Sequence, residues 1–473
     1  MTTTHNELAV FAWLPDGEAH GGRFLPAGLL NLAETVGANP LNRELASRFA
    51  YGLGYLKRPA SFEVDPVSLN LADRNAVRGQ ALFPVNALGE FGGIRDAAPD
   101  AWGRRVIEAQ RKVPANTLSE AEYLLAAGGD RVGALDVRPS IDAPDSPSAC
   151  NLQSLEYVLQ AADAVEQGLP VPAHLQAYLG AGPSAGGARP KASVRDEHDA
   201  LWLAKFPGRG DTFDVARAES CTLELARRCG LTVPEVRHLM IGNKPVMLIR
   251  RFDRFWSTPG EWPEADTELH DTRPSPGLAE GRLPYVSGLT LVACSEFESR
   301  TKSYHDLAHA IRRYAYPQRI KANCEELFAR MVFNIFVSND DDHLRNHAFV
   351  RDPRLSGWQL SPLYDVVPRP GVAYERMLHL EVGNQGKLAT LDNALSGFAA
   401  FTPSRANAVG IVRRVWSEVR EWKTTFEAHG ADSRLIDLLA GAFRELEDIA
   451  SPSLVNEIRK VENPRTGGER VGT

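Results

Sequence analysis

Residues 333–350 read FNIFVSNDDDHLRNHAFV, and the reading of this stretch decides the fold. An apolar helical run carrying Leu327, Met331, Val332 and Ile335 enters a loop crowded with aspartates, histidine and asparagine. A short strand, AFV, leaves the loop, and the turn RDPRLSG (351–357) reverses the chain into WQLSPLYDVV (358–367), which returns Asp365 beside the loop. Phosphoryl transfer needs one carboxylate to orient the attacking hydroxyl and two oxygen ligands for Mg²⁺ beside the phosphates. Asp341 and Asn346 stand five residues apart, the separation of base and metal ligand in the kinase loop H-R-D-x-x-x-x-N. Asp365, arriving by hairpin, takes the place of the aspartate of Asp-Phe-Gly. The spacing therefore assigns Asp341 as base and Asn346 and Asp365 as Mg²⁺ ligands. Two other readings stay open. One is a solvated acidic turn. The other is a metal-dependent hydrolase site drawn from the Asp340–His347 cluster, where His343 and His347 lie four apart; that spacing brings two ligands together only on a helix, and the capping-type residues here favour a loop.

A kinase must also hold its nucleotide. LGAGPSAGGARPKASV (179–194) is rich in glycine, with Gly186 and Gly187 adjacent and Ser184 just before them. Such a loop lets backbone N–H groups approach phosphates closely, although a Gly/Ser stretch also serves as a plain linker. In ALWLAKFPG (200–208), Lys205 is flanked by apolar residues; a lysine in a buried strand is costly unless a phosphate or carboxylate pairs with it. Lys191, on the preceding strand, is a second phosphate contact or else a surface lysine. DVARAESCTLELARRCG (214–230) reads as an amphipathic helix whose Glu219 borders the apolar face and pairs with Lys205 if the segment acts as a kinase helix C. PVMLIRRFDRF (245–255) then forms the interlobe hinge, with the backbone around Arg250 to Phe252 facing adenine.

Outward from these motifs, 473 residues are too many for one core, so two or three domains are expected. A net charge of −7 gives no support to whole-chain nucleic-acid binding. The N-terminus lacks the basic start and apolar stretch of a signal peptide, and no apolar window is long enough to span a membrane. Five scattered cysteines without a CxxC pair suit reduced thiols and a cytoplasmic protein. Residues 1–140 read as an α+β domain: alternating strands at 7–15 and 60–71, mixed helix and turn signals in NRELASRFAYGLGYLKRP (42–59), a helix in PDAWGRRVIEAQRK (99–112) capped by Asp100, and another in SEAEYLLAAGG (119–129) opened by Ser119 with Glu122. The Pro/Ser-rich 140–148 is a linker, 150–290 an N-lobe ending in a loop at 260–284, 291–462 a helical C-lobe and 463–473 a disordered tail.

Together the segments resemble the HipA family of bacterial toxin kinases. The resemblance is carried by PDAWGR, DRVGALDV (130–137), SAGGARPK, LAKFP, RRFDR, NDDDHLRNHAF and LSPLYDVVP. It implies an α+β fold, a small N-terminal domain followed by a two-lobed kinase, using ATP and Mg²⁺ to phosphorylate serine or threonine. It also implies Asp341 as base, Asn346 and Asp365 as Mg²⁺ ligands, Lys205 as the ATP-binding lysine, Lys191 and His343 as nucleotide-site positions and Ser184 as an autophosphorylated serine. A DNA-binding antitoxin and an aminoacyl-tRNA synthetase substrate are the partners it implies. Two departures stand out: Arg189-Pro190 precedes Lys191 where the family usually reads Ala-Gly-x-Gln-x-Lys, and Asp340 and Asp342 flank Asp341, which bears on substrate preference. A catalytically silent pseudokinase acting through an antitoxin is a further alternative.

Overall fold

The computed structural model describes residues 2–15, 22–36, 43–146, 150–151, 154–180, 187–371 and 373–460. The chain opens with a four-stranded antiparallel sheet in the order β3-β2-β1-β4, built from β1 (Thr2–Leu14), β2 (Arg23–Val36), β3 (Arg43–Tyr51) and β4 (Leu135–Arg138). Because β1 runs between β2 and β4, it is buried all along Leu8–Leu14. Two expectations are corrected here. Residues 43–51, read as helix and turn, form β3, whose alternating burial puts Phe49 and Tyr51 in the core. Residues 60–71, read as a strand, form irregular backbone. Their apolar alternation is real, since Phe62, Val64 and Leu69 are buried, but the amides bond to side chains rather than to a neighbouring strand. Tyr55 and Tyr51 hydroxyls accept from Phe62 and Val64, and the Asp65 carboxylate accepts from Val67, Ser68 and Gly93.

Helix Ala101–Arg111 starts where Asp100 accepts the Gly103 amide, and it buries Trp102, Val106 and Ile107. Helix Glu120–Ala126 carries the full Ser119/Glu122 capping box.

A five-stranded sheet follows, ordered β5-β6-β7-β9-β8, from β5 (Cys150–Asn151), β6 (Lys191–Arg195), β7 (Leu201–Lys205), β8 (Val236–Ile241) and β9 (Lys244–Arg250). Period-2 alternation sorts its side chains. Trp202, Ala204, Val246 and Leu248 join one core with helix Leu155–Glu166, while Leu203, Met247 and Ile249 join another with helix Val215–Arg228. Lys205 continues the second face, which brings it to that helix. The 260–284 stretch, expected as loop throughout, closes as a hairpin, because β10 (Arg254–Ser257) pairs with β11 (Ala279–Arg282).

The C-terminal part is mainly helical around Ile320–Val337, where every residue from Leu327 to Val337 is buried. Against it lies a small sheet, β12 (Tyr285–Ser287), β13 (Ala348–Arg351) and β14 (Trp358–Leu360), the last two forming the expected hairpin. Among the described residues no helix is long and apolar enough to cross a membrane.

Candidate active site

The loop after Val337 is shaped by its own polar side chains. Ser338 ends the helix in the left-handed region (φ 52°), and the Asn339 amide donates back to the Asn334 carbonyl at 3.0 Å. Of the three consecutive aspartates, Asp342 is buried, accepting the Tyr304 hydroxyl and the His379 amide, each at 2.7 Å. Burial pushes its carboxyl up to about 7 against the pull of these bonds. Asp342 thus anchors the loop from below and does not face a substrate, which corrects the expectation that both flanking acids bear on substrate choice. His347 is also buried, edge-on to Tyr304, and burial lowers its imidazole to about 3. His343 instead lines an open cavity. The two histidines do not share a face, and among the described residues no three His, Cys, Asp or Glu side chains converge as a metal cluster.

Asp341 is half-exposed, its carboxylate 3.2 Å from Arg369, which also reaches Asp340 at 3.0 Å. Nothing in the sequence pointed to Arg369; it lies beyond Asp365 and comes back over the loop. The Asn346 amide nitrogen donates to the Asp341 carbonyl at 2.7 Å, leaving its side-chain oxygen as the atom available to a cation. Asp365 has φ 59°, a conformation that aspartate tolerates better than most side chains. Its carboxylate accepts from the Lys205 ammonium at 2.9 Å, and Lys205 also donates to Glu219 at 2.5 Å. Burial alone would lower the Lys205 pKa, but the two carboxylates outweigh it and hold the ammonium charged. Burial would raise the Asp365 carboxyl, and Lys205 holds it down to about 2. The lysine–helix-glutamate pairing expected from the sequence is present, with Asp365 as an added partner. Carboxylate and amide oxygens are the hard donors that Mg²⁺ prefers, so Asp365 and Asn346 fit that ion by chemistry.

Lys191 is buried and paired with Asp100 at 2.8 Å. Reading Asp100 as a helix cap missed this second role, because its partner is distant in sequence. Gly187 lies over the pair: its φ is 118°, and an added Cβ would stand 3.0 Å from the Lys191 ammonium. The Trp102 indole N–H donates to the Lys191 carbonyl, so the PDAWGR helix clasps the end of the glycine-rich loop. Gly186 and Ser184 lie outside the described residues. Arg189 pairs with Asp211. The amides of Arg250 and Arg251 are bonded to the carbonyls of Glu235 and Leu201, and the Arg250 side chain donates to the Thr272 carbonyl. The Phe252 ring stands 5.6 Å from that of Tyr364, the neighbour of Asp365.

Three comparisons bear on this arrangement. A profile of the HipA-like C-terminal domain matches residues 183–423, which hold Lys191, Lys205, Glu219, Asp341, Asn346 and Asp365. A Sinorhizobium fredii protein, Y4mE, named as a candidate kinase, is 24% identical over 376 residues, 73% of this chain and 80% of its own. The HipA toxin of Shewanella oneidensis MR-1, solved with HipB and operator DNA, superposes with a TM-score of 0.56 at 15% identity, covering 92% of this chain and 94% of that one. The likeness covers nearly the whole of both chains, and the fold described above, sheets followed by a mainly helical C-terminal part, is a kinase-like α+β fold. The chain belongs to the HipA-like family.

Proposed function

We propose that this chain is an ATP- and Mg²⁺-dependent serine/threonine protein kinase of the HipA toxin type. The observation that carries the proposal is the Lys205 ammonium held between Glu219 and Asp365. This links the glycine-loop sheet, the helix behind it and the hairpin beside Asp341, as a kinase requires. Asp365 and the Asn346 side-chain oxygen would hold Mg²⁺, which supplies neutralisation of charge on the phosphates. Lys205 and Lys191 would bind and orient the phosphates under Gly186 and Gly187, with His343 at the nucleotide site and the Arg250–Phe252 stretch as hinge. Asp341 would orient the acceptor hydroxyl and take its proton as that oxygen bonds to the γ-phosphorus and the bond to the ADP oxygen breaks. For the hydroxyl to approach, Arg369 must release the carboxylate; an exposed ion pair of this kind contributes roughly 0–1 kcal/mol, so release costs little.

The proposal includes autophosphorylation of Ser184, a cytoplasmic setting and a DNA-binding antitoxin as partner, by analogy with the HipB complex of the Shewanella protein. The hydrolase alternative has no use for Lys205, and His347 is sealed in the core. The test uses labelled ATP with wild type and Asp341→Asn, followed by mass spectrometry. Wild type transfers phosphate to protein, Ser184 included. The variant loses on the order of 10²–10⁴-fold in rate yet binds Mg-ATP within a few-fold of wild type. Equal turnover in both removes Asp341 from the mechanism, and phosphate at Ser184 in both assigns it to another kinase.

A further inference from the structure

Two lysines stand side by side on the sheet that faces the catalytic loop. In the antiparallel pair of β6 and β7, Lys191 is directly opposite Lys205, so both side chains lie on the face that meets Asp365. Lys205 bonds to that carboxylate, and Lys191 adds to the field that holds it down. Like charges set opposite each other on a sheet repel, and each ammonium here is offset by a carboxylate. The partners of Lys205, Glu219 and Asp365, belong to the kinase-like part. Lys191 instead pairs with Asp100, ninety-one residues earlier and outside the matched stretch 183–423.

Asp100 divides its two oxygens between two tasks. One accepts the Gly103 amide at 2.7 Å and is thereby fixed to the start of helix Ala101–Arg111, and the other accepts from the Lys191 ammonium at 2.8 Å. A helix cap needs only the first of these bonds. The buried Trp102 beside it donates its indole N–H to the Lys191 carbonyl at 2.8 Å. The helix therefore grips Lys191 both by its backbone and by its charge. Asp100 also lines, with Gly187 and His343, a cavity of about 430 Å³ beside the catalytic loop. The pair thus stands at the edge of the space assigned above to the nucleotide. A buried ammonium needs a counter-charge to stay ionised and in one place, and a lysine on its flexible four-carbon stem binds better when fixed before its ligand arrives.

We propose that Asp100 is a positioning residue of the nucleotide site, holding the Lys191 ammonium in place for the phosphates as Glu219 holds that of Lys205. The proposal rests on the phosphoryl-transfer reading above. It assigns the N-terminal part a direct share in nucleotide binding, since the kinase-like part alone lacks this carboxylate.

The test titrates the full chain with Mg-ATP and with adenosine by calorimetry, and follows transfer from labelled ATP. It compares wild type, Asp100→Asn, Asp100→Ala and the double variant Asp100→Asn/Lys191→Met. Asp100→Asn and Asp100→Ala should weaken Mg-ATP alike, by about tenfold, within the coupling found between contacting residues, although only the alanine variant also loses the helix cap. Adenosine has no phosphate to offer Lys191, so its affinity should be unchanged. The double variant should bind Mg-ATP no more weakly than Asp100→Asn, because Lys191 acts only when Asp100 holds it. If the stranded ammonium keeps the single variants from folding, the double variant, which removes both charges, carries the test. Wild-type Mg-ATP affinity in Asp100→Asn or in the double variant overturns the inference while measured transfer keeps the kinase reading. An equal loss for adenosine, or a further loss in the double variant, overturns it too. Asp100-dependent Mg-ATP binding without transfer upholds Asp100 and sinks the kinase reading, and a wild type that binds no Mg-ATP sinks both.

Discussion

One ammonium facing two carboxylates leaves Lys205, Glu219 and Asp365 with an excess negative charge. The excess falls on Glu219, whose carboxyl is raised by burial and by Asp365, whereas Lys205 holds the Asp365 carboxyl down, so the Asp365 charge also adds to the stability of the unliganded protein. Replacing it with alanine leaves the Lys205–Glu219 pair intact and removes the second partner of Lys205. Asp365→Ala should therefore unfold somewhat below wild type when no nucleotide is present. It should lose the upward thermal shift that saturating Mg-ATP gives wild type, about 2.7 kcal/mol at a hundredfold excess over Kd, together with turnover. Differential scanning fluorimetry with and without Mg-ATP reads both effects. A full Mg-ATP shift in the variant would end the assignment of Asp365 as a metal ligand.

Two elements hold the site in place, each through one aspartate. In the loop, the raised Asp342 carboxyl makes a pH prediction with a definite sign. Its folded value of about 7 lies above its value of about 3.9 when unfolded. The folded state therefore binds the extra proton between these limits, and the Asp342 contribution to stability is full below about pH 4 and lost as pH rises to 7. His347 acts the other way. Its imidazole stays neutral to about 3 when folded, so its contribution is present above the unfolded value of about 6.5 and is lost as pH falls. The two slopes partly cancel in wild type. Asp342→Asn, which keeps an acceptor for the His379 amide, should remove one of them, so that the thermal midpoint of the variant gains on wild type as pH rises from 4 to 7. Parallel curves would show that Asp342 titrates normally. In helix Ala101–Arg111, Asp100 both caps the N-terminus and pairs with buried Lys191. Asp100→Asn keeps the cap and loses the pair, whereas Asp100→Ala loses both. The alanine variant should be the less stable of the two by about 1 kcal/mol in urea unfolding, and equal midpoints would mean the cap contributes nothing.

At the scale of the whole molecule, the N-terminal sheet and the kinase-like part are joined by a buried ionic knot. Asp253 accepts from Arg251 at 2.7 and 2.6 Å, from Arg254 at 2.5 Å and from the Gly133 amide at 2.7 Å. Arg251 also donates to the carbonyls of Asp130 and Arg131. The RRFDR and DRVGALDV segments are thus two halves of one junction. Gly133 has φ 81°, and a Cβ there would stand 2.9 Å from that of Tyr285, so glycine is required at this point. Burial would raise the Asp253 carboxyl, but the two guanidiniums hold it well below the usual carboxylate range. The stability it gives is therefore present above about pH 4 and lost as pH falls. Breaking such a pair from one side costs about 3–5 kcal/mol. Asp253→Asn should lower the thermal midpoint clearly at pH 7, by an amount that begins to shrink only as pH falls below about 4. A wild-type midpoint at pH 7 would show that the knot does not hold the two parts together.

What the sequence determined by itself was local. Asp100 and Ser119 lie within three residues of the amides they cap, the hairpin that returns Asp365 is set by a six-residue turn, and period-2 alternation places Lys205 on the helix-facing side of β7. Each of these depends on neighbours a few residues away, so composition and spacing suffice. The tertiary structure decided what depends on distant neighbours. Asp340, Asp341 and Asp342 are the same residue in the sequence, and only Tyr304 and His379, thirty-eight and thirty-seven residues away, make the third an anchor and leave the second exposed. The alternation in 60–71 is that of a strand, but the Tyr51 and Tyr55 hydroxyls and the Asp65 carboxylate supply the bonds a neighbouring strand would have made. The pairing of Lys191 with Asp100, the reach of Arg369 to Asp341 and the cavity lined by Asp100 and His343 arise the same way. Burial and charge pairing belong to the packed chain and leave no period or spacing in the letters.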